Sequence, residues 1–246
     1  MNEVPFYLLS YDNSERKQRM INRFTTENVP FEFVPPVEHS DPRIVDSLDP
    51  WTKRVWSIML GHLDMLKRFI ESGNESEYAI FCEDDIYIRK GILTYLPEII
   101  SSSRRRGLDI VLLGYLLHYR INNVTNVQKN DNLPYDYNLI NMEPTFQFYK
   151  YPDDVWGTQM YMLSRRAVTM MLEKYNIDYA ISTITDTNKV SFCADTTLTK
   201  DTFEGTLSRA LIHPMLAVEE GPLNPGQINS FQGQCAKMQF NSKEYH

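Results

Sequence analysis

The chain is predicted to be an α/β protein built on an open sheet covered by helices on both faces, and three observations carry that prediction. Apolar runs of strand length alternate with stretches whose apolar residues recur at helical spacing. The run Ile110-Val111-Leu112-Leu113 is apolar throughout, as in a strand buried on both faces. The third observation is Tyr78 to Ile88, an apolar stretch interrupted by Glu83-Asp84-Asp85, polar residues of the kind that open α/β sheets gather at strand ends, where they bind ligands.

Val4 to Leu9 has the length of a buried strand, and Ser10 to Ser14 supplies turn and cap residues. Glu15 to Phe24 spaces Met20, Ile21 and Phe24 as a helix, Phe31 to Val34 is a second strand, and 41–49 is a polar connection. Trp56 to Phe69 is a second helix, stopped by Ser72-Gly73-Asn74, and the acidic strand follows it. Gly91 to Ser101 is a third helix and Asp109 to Leu113 the next strand. Residues 115–150 lack periodicity and are too long for an ordinary connector. Gly157 to Ser164 is predicted as a strand, Arg165 to Tyr175 as the helix behind it, Asp195 to Glu204 as a helix and Ala210 to His213 as a strand. A tail rich in Gln, Asn and Gly closes the chain.

With 246 residues, 42% of them hydrophobic, the chain is expected to form one domain over 1–246. A net charge of −7 argues against broad binding to nucleic acid or to an anionic membrane. Three widely spaced cysteines, Cys82, Cys193 and Cys235, fit neither a disulfide framework nor a zinc site, so a reducing, cytoplasmic setting is expected. No run approaches the length of a membrane span, so no integral membrane segment is expected.

Three adjacent carboxylates at the end of a buried strand repel one another and call for a cation. A hard divalent ion, Mn²⁺ or Mg²⁺, prefers oxygen ligands and keeps positions open for phosphate oxygens, which points to nucleotide chemistry. Strand alternation would put Glu83 and Asp85 on one face and Asp84 on the other. There is no Gly-rich phosphate loop, so metal and side chains would have to hold phosphate.

Four segments, in this order, resemble glycosyltransferase family 25, the lipooligosaccharide and procollagen galactosyltransferase type. They are Leu8 to Arg19, Ser57 to Leu63 with His62, Phe81 to Ile86 with Glu83-Asp84-Asp85, and Trp156 to Ala167 with Gly157-Thr158 and Ser164-Arg165. Ser10-Tyr11 stands where the family has Asn-Leu, and Gly61 where it has Ser. After residue 175 the likeness rests on Cys193 to Leu198 and Ile212-His213-Pro214. The resemblance implies a GT-A type Rossmann-like mixed sheet flanked by helices. It also implies inverting transfer of a hexose, galactose or glucose, from a UDP-sugar donor to a saccharide or hydroxylated acceptor.

On that reading Asp85 and Glu83 hold the metal, joined by a late histidine, His213, whose alternative is a strand-end histidine with a backbone partner. Asp195 is the expected base for the acceptor hydroxyl; as a residue at a predicted helix start it would serve equally well as a cap. Asp153 and Asp154 are its substitutes. Arg16 or Arg19 would face the diphosphate, and Glu83 and Asp84 the donor. His62 points either to the nucleotide or into the core, the family likeness favouring the nucleotide. Trp156 and Asp154 would meet the acceptor, Trp156 by stacking on a sugar face or else as core, with 115–150 as a lid. A sugar nucleotidyltransferase and a non-catalytic glycan- or nucleotide-binding module are the alternatives.

Overall fold

A computed structural model of the chain describes residues 4–10, 14–117, 121, 146–201, 203–221 and 229–246. The strands are β1 (Phe6–Leu9), β2 (Glu32–Val34), β3 (Tyr78–Cys82), β4 (Ile86–Ile88), β5 (Ile110–Leu116), β6 (Gln147–Tyr149), β7 (Trp156–Ser164), β8 (Arg209–His213) and β9 (Ala217–Glu219). The α-helices are α1 (Ser14–Thr26), α2 (Pro50–Glu71), α3 (Ile92–Arg105), α4 (Arg165–Lys174), α5 (Ile177–Thr185), α6 (Ala194–Thr199) and α7 (Phe231–Gln239). Seven strands form one mixed sheet in the order β2-β1-β3-β7-β5-β8-β6, and β4 pairs with β9 in a separate ribbon. Because β7 runs antiparallel to both β3 and β5, its first residues lie beside the last residues of those strands. The carboxyl ends of β1, β3, β5 and β8 and the start of β7 therefore share one edge.

Period-two alternation explains how so apolar a sheet is covered. In β3, Ala79 and Phe81 join one core cluster while Tyr78, Ile80 and Cys82 join the other. β1, β5 and β7 divide the same way. Helix α2 packs Trp56, Met59, Leu63, Leu66 and Phe69 on the first face; α1 and α3 pack Met20, Phe24, Ile92, Leu96 and Ile99 on the second.

Helix α2 opens at Pro50, nearly two turns earlier than its apolar periodicity predicts. Asp49 accepts from the backbone N–H groups of Trp51 at 2.9 Å and Thr52 at 3.1 Å, with Pro50 in the first turn. Within it Gly61 lies against β1, where a Cβ would stand 2.7 Å from Leu9 Cδ1. That close approach brings the next residue, His62, under the sheet edge.

Several expectations change. The acidic segment is not one strand through Ile88: β3 ends at Cys82, Glu83 to Asp85 form a bend, and Ile86–Ile88 leave the main sheet to pair with β9. The helix expected over Asp195–Glu204 is only α6, because Asp201 turns its carboxylate to the Phe203 N–H at 2.8 Å and the chain reverses through positive φ at Phe203 and Glu204. The tail carries β9 and α7, and α5 adds a helix capped by Asn176. Within 115–150, Tyr115 is buried core, β6 adds an edge strand, and the rest of the expected lid (118–120 and 122–145) lies outside the described residues. No helix among the described residues is long and apolar enough to cross a membrane.

Candidate functional site

The candidate site grows from the end of β3. The Glu83 N–H donates to Gln159 O at 3.1 Å, extending the β3–β7 ladder one residue beyond the strand. Its carboxylate accepts from Thr158 Oγ1 and faces His62 Nε2 at 3.5 Å. His62 is buried, and its Nδ1 stands 2.8 Å from Tyr161 OH. Burial, then Glu83 and Cys82, push the Tyr161 phenol well above its ordinary pKa. His62 is thus core by burial, with its Nε2 turned towards Glu83.

Asp84 and Asp85, expected on opposite faces, share one cation. Arg16 NH1 lies 3.2 Å from Asp84 Oδ1 and 3.5 Å from Asp85 Oδ2. The other Asp85 oxygen, Oδ1, is buried without a hydrogen-bond partner among the described residues. Burial, then the negative charge of Glu83, push the Asp85 carboxyl up to about 7 in spite of Arg16. For Glu83 burial works in the same direction, but His62, Thr158 and Arg16 overcome it and hold the group below its ordinary value.

Two further acids come from the ribbon. Glu219 lies across from Ile86 in the β4–β9 register, with Oε2 3.5 Å from Gln159 Nε2. Burial first, then Asp85 and Glu83, raise its carboxyl to about 8. Glu220 instead is paired: Arg19 grips it through Nε and NH2, each at 3.0 Å, Arg23 joins it, and its carboxyl is held low although burial opposes this. Arg23 also donates to Ile86 O at 2.8 Å and lies over the Tyr87 ring, so α1 clamps the ribbon against the sheet. Of the two arginines expected at a diphosphate, Arg19 is thus committed to Glu220, and Arg16 lies at the acidic bend.

Asp195 occupies the first turn of α6 but does not cap it, since Cys193 takes that position. Its carboxylate accepts from the Gly157 backbone N–H, and burial followed by Glu83 raises it to about 6. Glu83, Asp85, Asp195 and Glu219 thus act on one another across the carboxyl edge. Trp156, at the start of β7, is 40% exposed, with Lys200 Nζ 4.8 Å over its ring. Lys200 also donates to Asp153 O at 2.5 Å and Val155 O at 3.1 Å, so Asp153 contributes its backbone there; Asp154 is half-buried in the same turn.

His213 ends β8, three strands from β3, with Nδ1 3.4 Å from Tyr115 OH. At the ordinary strand spacing that is about 14 Å away. Among the described residues no three His, Cys, Asp or Glu side chains stand together as a metal shell. The donor chemistry nevertheless suits a hard cation: Asp85 has a buried, unpartnered oxygen, and its carboxyl, in spite of Arg16, and that of Glu219 stay raised. Mg²⁺-type sites commonly use one or two carboxylates plus substrate phosphates and water, and need no three-ligand cage.

Sequence reasoning assigned no role to Thr158, Gln159 or Glu219. The signal for Glu219 is its resemblance in pattern to Glu83, since Leu216-Ala217-Val218 followed by Glu219-Glu220 repeats the apolar-then-acidic order of Ile80 to Asp85. No protein-family model and no curated protein sequence matches the chain. A recess of about 370 Å³ opens near the same edge, lined by Ser10, Lys17, Phe33, Val34, Pro35, Pro36 and Glu38. A larger cavity of about 660 Å³ lies at the opposite edge, lined by Val4, Phe6, Tyr78, Leu96 and Pro97 among others, and touches none of the predicted site residues.

Proposed function

We propose that the chain is a metal-dependent glycosyltransferase of GT-A type, related to glycosyltransferase family 25, that moves a hexose from a UDP-sugar to a saccharide or hydroxylated acceptor with inversion. The observation that carries the proposal is Asp85: a half-buried carboxylate at the carboxyl edge whose Oδ1 is buried and unpartnered among the described residues, its pKa raised to about 7 by burial and then by Glu83. Such an arrangement destabilises a fold unless a cation arrives to use it.

Asp85, with Glu83 beside it, would hold Mn²⁺ or Mg²⁺. Bound there, the ion would supply Lewis-acid stabilisation of the departing diphosphate. The chain's own residues do the rest. Thr158 and His62 fix the Glu83 carboxylate, so its orientation is set before any ligand binds. Arg16 adds positive charge beside Asp84 and Asp85, where phosphate charge would gather. The recess beside Phe33, with Lys17 4.9 Å over that ring, offers a flat apolar wall for a nucleobase at the ends of β1 and β2.

Asp195 takes the proton from the acceptor hydroxyl at its carboxylate. Its position on α6, fixed by the Gly157 N–H, and a pKa of about 6 suit a base working near neutral pH. Trp156, exposed at the start of β7 beside Asp154, offers a stacking face for an acceptor sugar.

A thermal-shift and hydrolysis screen tests the proposal. UDP should stabilise the protein with Mn²⁺ present and not in EDTA, and one UDP-hexose should be hydrolysed slowly in a metal-dependent reaction. Release of pyrophosphate would mark a nucleotidyltransferase, and indifference to UDP and metal would mark a non-catalytic module; either overturns the proposal.

A further inference from the structure

We infer that Gln159 and Glu219 form the subsite for the hydroxyl groups of the transferred hexose, so that this pair sets which UDP-sugar is accepted. The inference rests on the sugar-nucleotide reading above and adds to it the part of the site that touches the sugar.

Gln159 is only 3% exposed, and its backbone carbonyl already holds the Glu83 N–H at 3.1 Å. Its side chain is therefore anchored next to the acidic bend. The carboxamide Nε2 lies 3.5 Å from Glu219 Oε2, while Oε1 is buried with no hydrogen-bond partner among the described residues. Buried carboxamide oxygens are normally satisfied, and one buried without a partner beside the acidic bend is an acceptor lacking its donor.

Space for that carboxamide comes from Gly157. A Cβ there would stand 2.1 Å from Gln159 Oε1, and the backbone φ of +100° is one that other residues rarely adopt. The same Gly157 donates its N–H to Asp195, so the start of β7 that carries Gln159 also meets the expected base.

Chemistry narrows the ligand. The unpartnered carboxamide oxygen is an acceptor, and the Glu219 carboxyl accepts as well, so the pair can receive hydroxyl donors. Neighbouring hydroxyls on a sugar ring supply two donors at close spacing. Glu219 comes from the β4–β9 ribbon and Gln159 from the main sheet, so a ring bound between them would also be held by two elements that α1 clamps together.

The test is isothermal titration of the full chain with UDP, UDP-galactose and UDP-glucose, each with Mn²⁺, for wild type, Gln159→Met and Glu219→Gln. Binding of free Mn²⁺, followed by its paramagnetic resonance signal, is measured alongside. The preferred UDP-hexose should bind wild type more tightly than UDP does, and each variant should lose about tenfold of that affinity while UDP binding stays within about twofold. Equal weakening of UDP and UDP-hexose, or loss of Mn²⁺ binding in Glu219→Gln, would overturn the inference, the second by making Glu219 a metal ligand. Wild type that binds UDP and both UDP-hexoses equally would overturn it while leaving the transferase reading standing. Wild type that binds no UDP at all would bring down both. Should Gln159→Met fail to fold, Glu219→Gln alone decides.

Discussion

Replacing Asp85 with Asn should stabilise the metal-free protein while removing its response to metal. Asp85 sits at about 7 against an ordinary 3.8, which corresponds to about 4 kcal/mol of stability forgone once the native carboxylate is ionised. The sign follows from proton counts. Between the unfolded and folded values the native state binds the extra proton, so stability falls as pH rises from about 4 through about 7 and is level above. Asn removes that penalty but takes from Arg16 its 3.5 Å partner, leaving Asp84 at 3.2 Å, which returns part of the gain. The net expectation is about 2 kcal/mol near pH 8, or about 5 °C in Tm for a chain of this size, shrinking towards zero near pH 5. Thermal melts in EDTA across that range read the effect. Adding Mn²⁺ at a hundredfold excess over its Kd should then raise wild type by about 2.7 kcal/mol and leave the variant unmoved. A variant less stable than wild type near pH 8 in EDTA, or one that still gains stability from Mn²⁺, would refute the reasoning.

Three other outcomes follow from the same geometry. Glu220→Ala should cost about 3 kcal/mol in a denaturant titration, because Arg23, 11% exposed, loses its carboxylate partner; since Glu220 is held low, the wild-type contribution is complete above about pH 5 and is lost as pH falls through the folded value. Gly157→Ala should lower stability by about 2 kcal/mol or more in the same titration, since its Cβ meets the Gln159 carboxamide at a φ of +100°. For wild-type transfer, kcat/KM should rise with pH through an apparent pKa of about 6, and Asp195→Asn should abolish that limb with a loss of about a hundredfold or more; an unchanged profile would remove Asp195 as the base.

Periodicity made the framework legible. Strands β1, β2, β3, β5, β7 and β8 and helices α1, α3 and α4 were expected within a few residues of where they stand, and α2 begins six residues earlier than expected. Other short elements escaped. β9 has three residues and α7 has little apolar patterning, so their structure comes from packing against β4 and β5 and is not written locally. α5 does space Ile177, Ala180, Ile181 and Ile184 as a helix, but it is a short element and was passed over although Asn176 marks its cap.

At the site, the acids and His62 could be found from the sequence because type and order mark them. Their geometry could not. Nothing local says that the chain bends at Glu83 when it could have continued as a strand, or that Asp84 and Asp85 would turn to the same Arg16 from 68 residues away. His213 shows the reverse, being of the right type and near the right edge but three strands from β3. Glu219 was overlooked because its partners, Gln159 and the β3 end, are 60 or more residues distant in the chain.

The most direct measurement is an anomalous difference map from crystals grown with Mn²⁺ and UDP. A manganese peak within about 2.2 Å of an Asp85 carboxylate oxygen and touching the diphosphate is the expected result. A map in which manganese and UDP are absent, or bound away from Asp85, would contradict it.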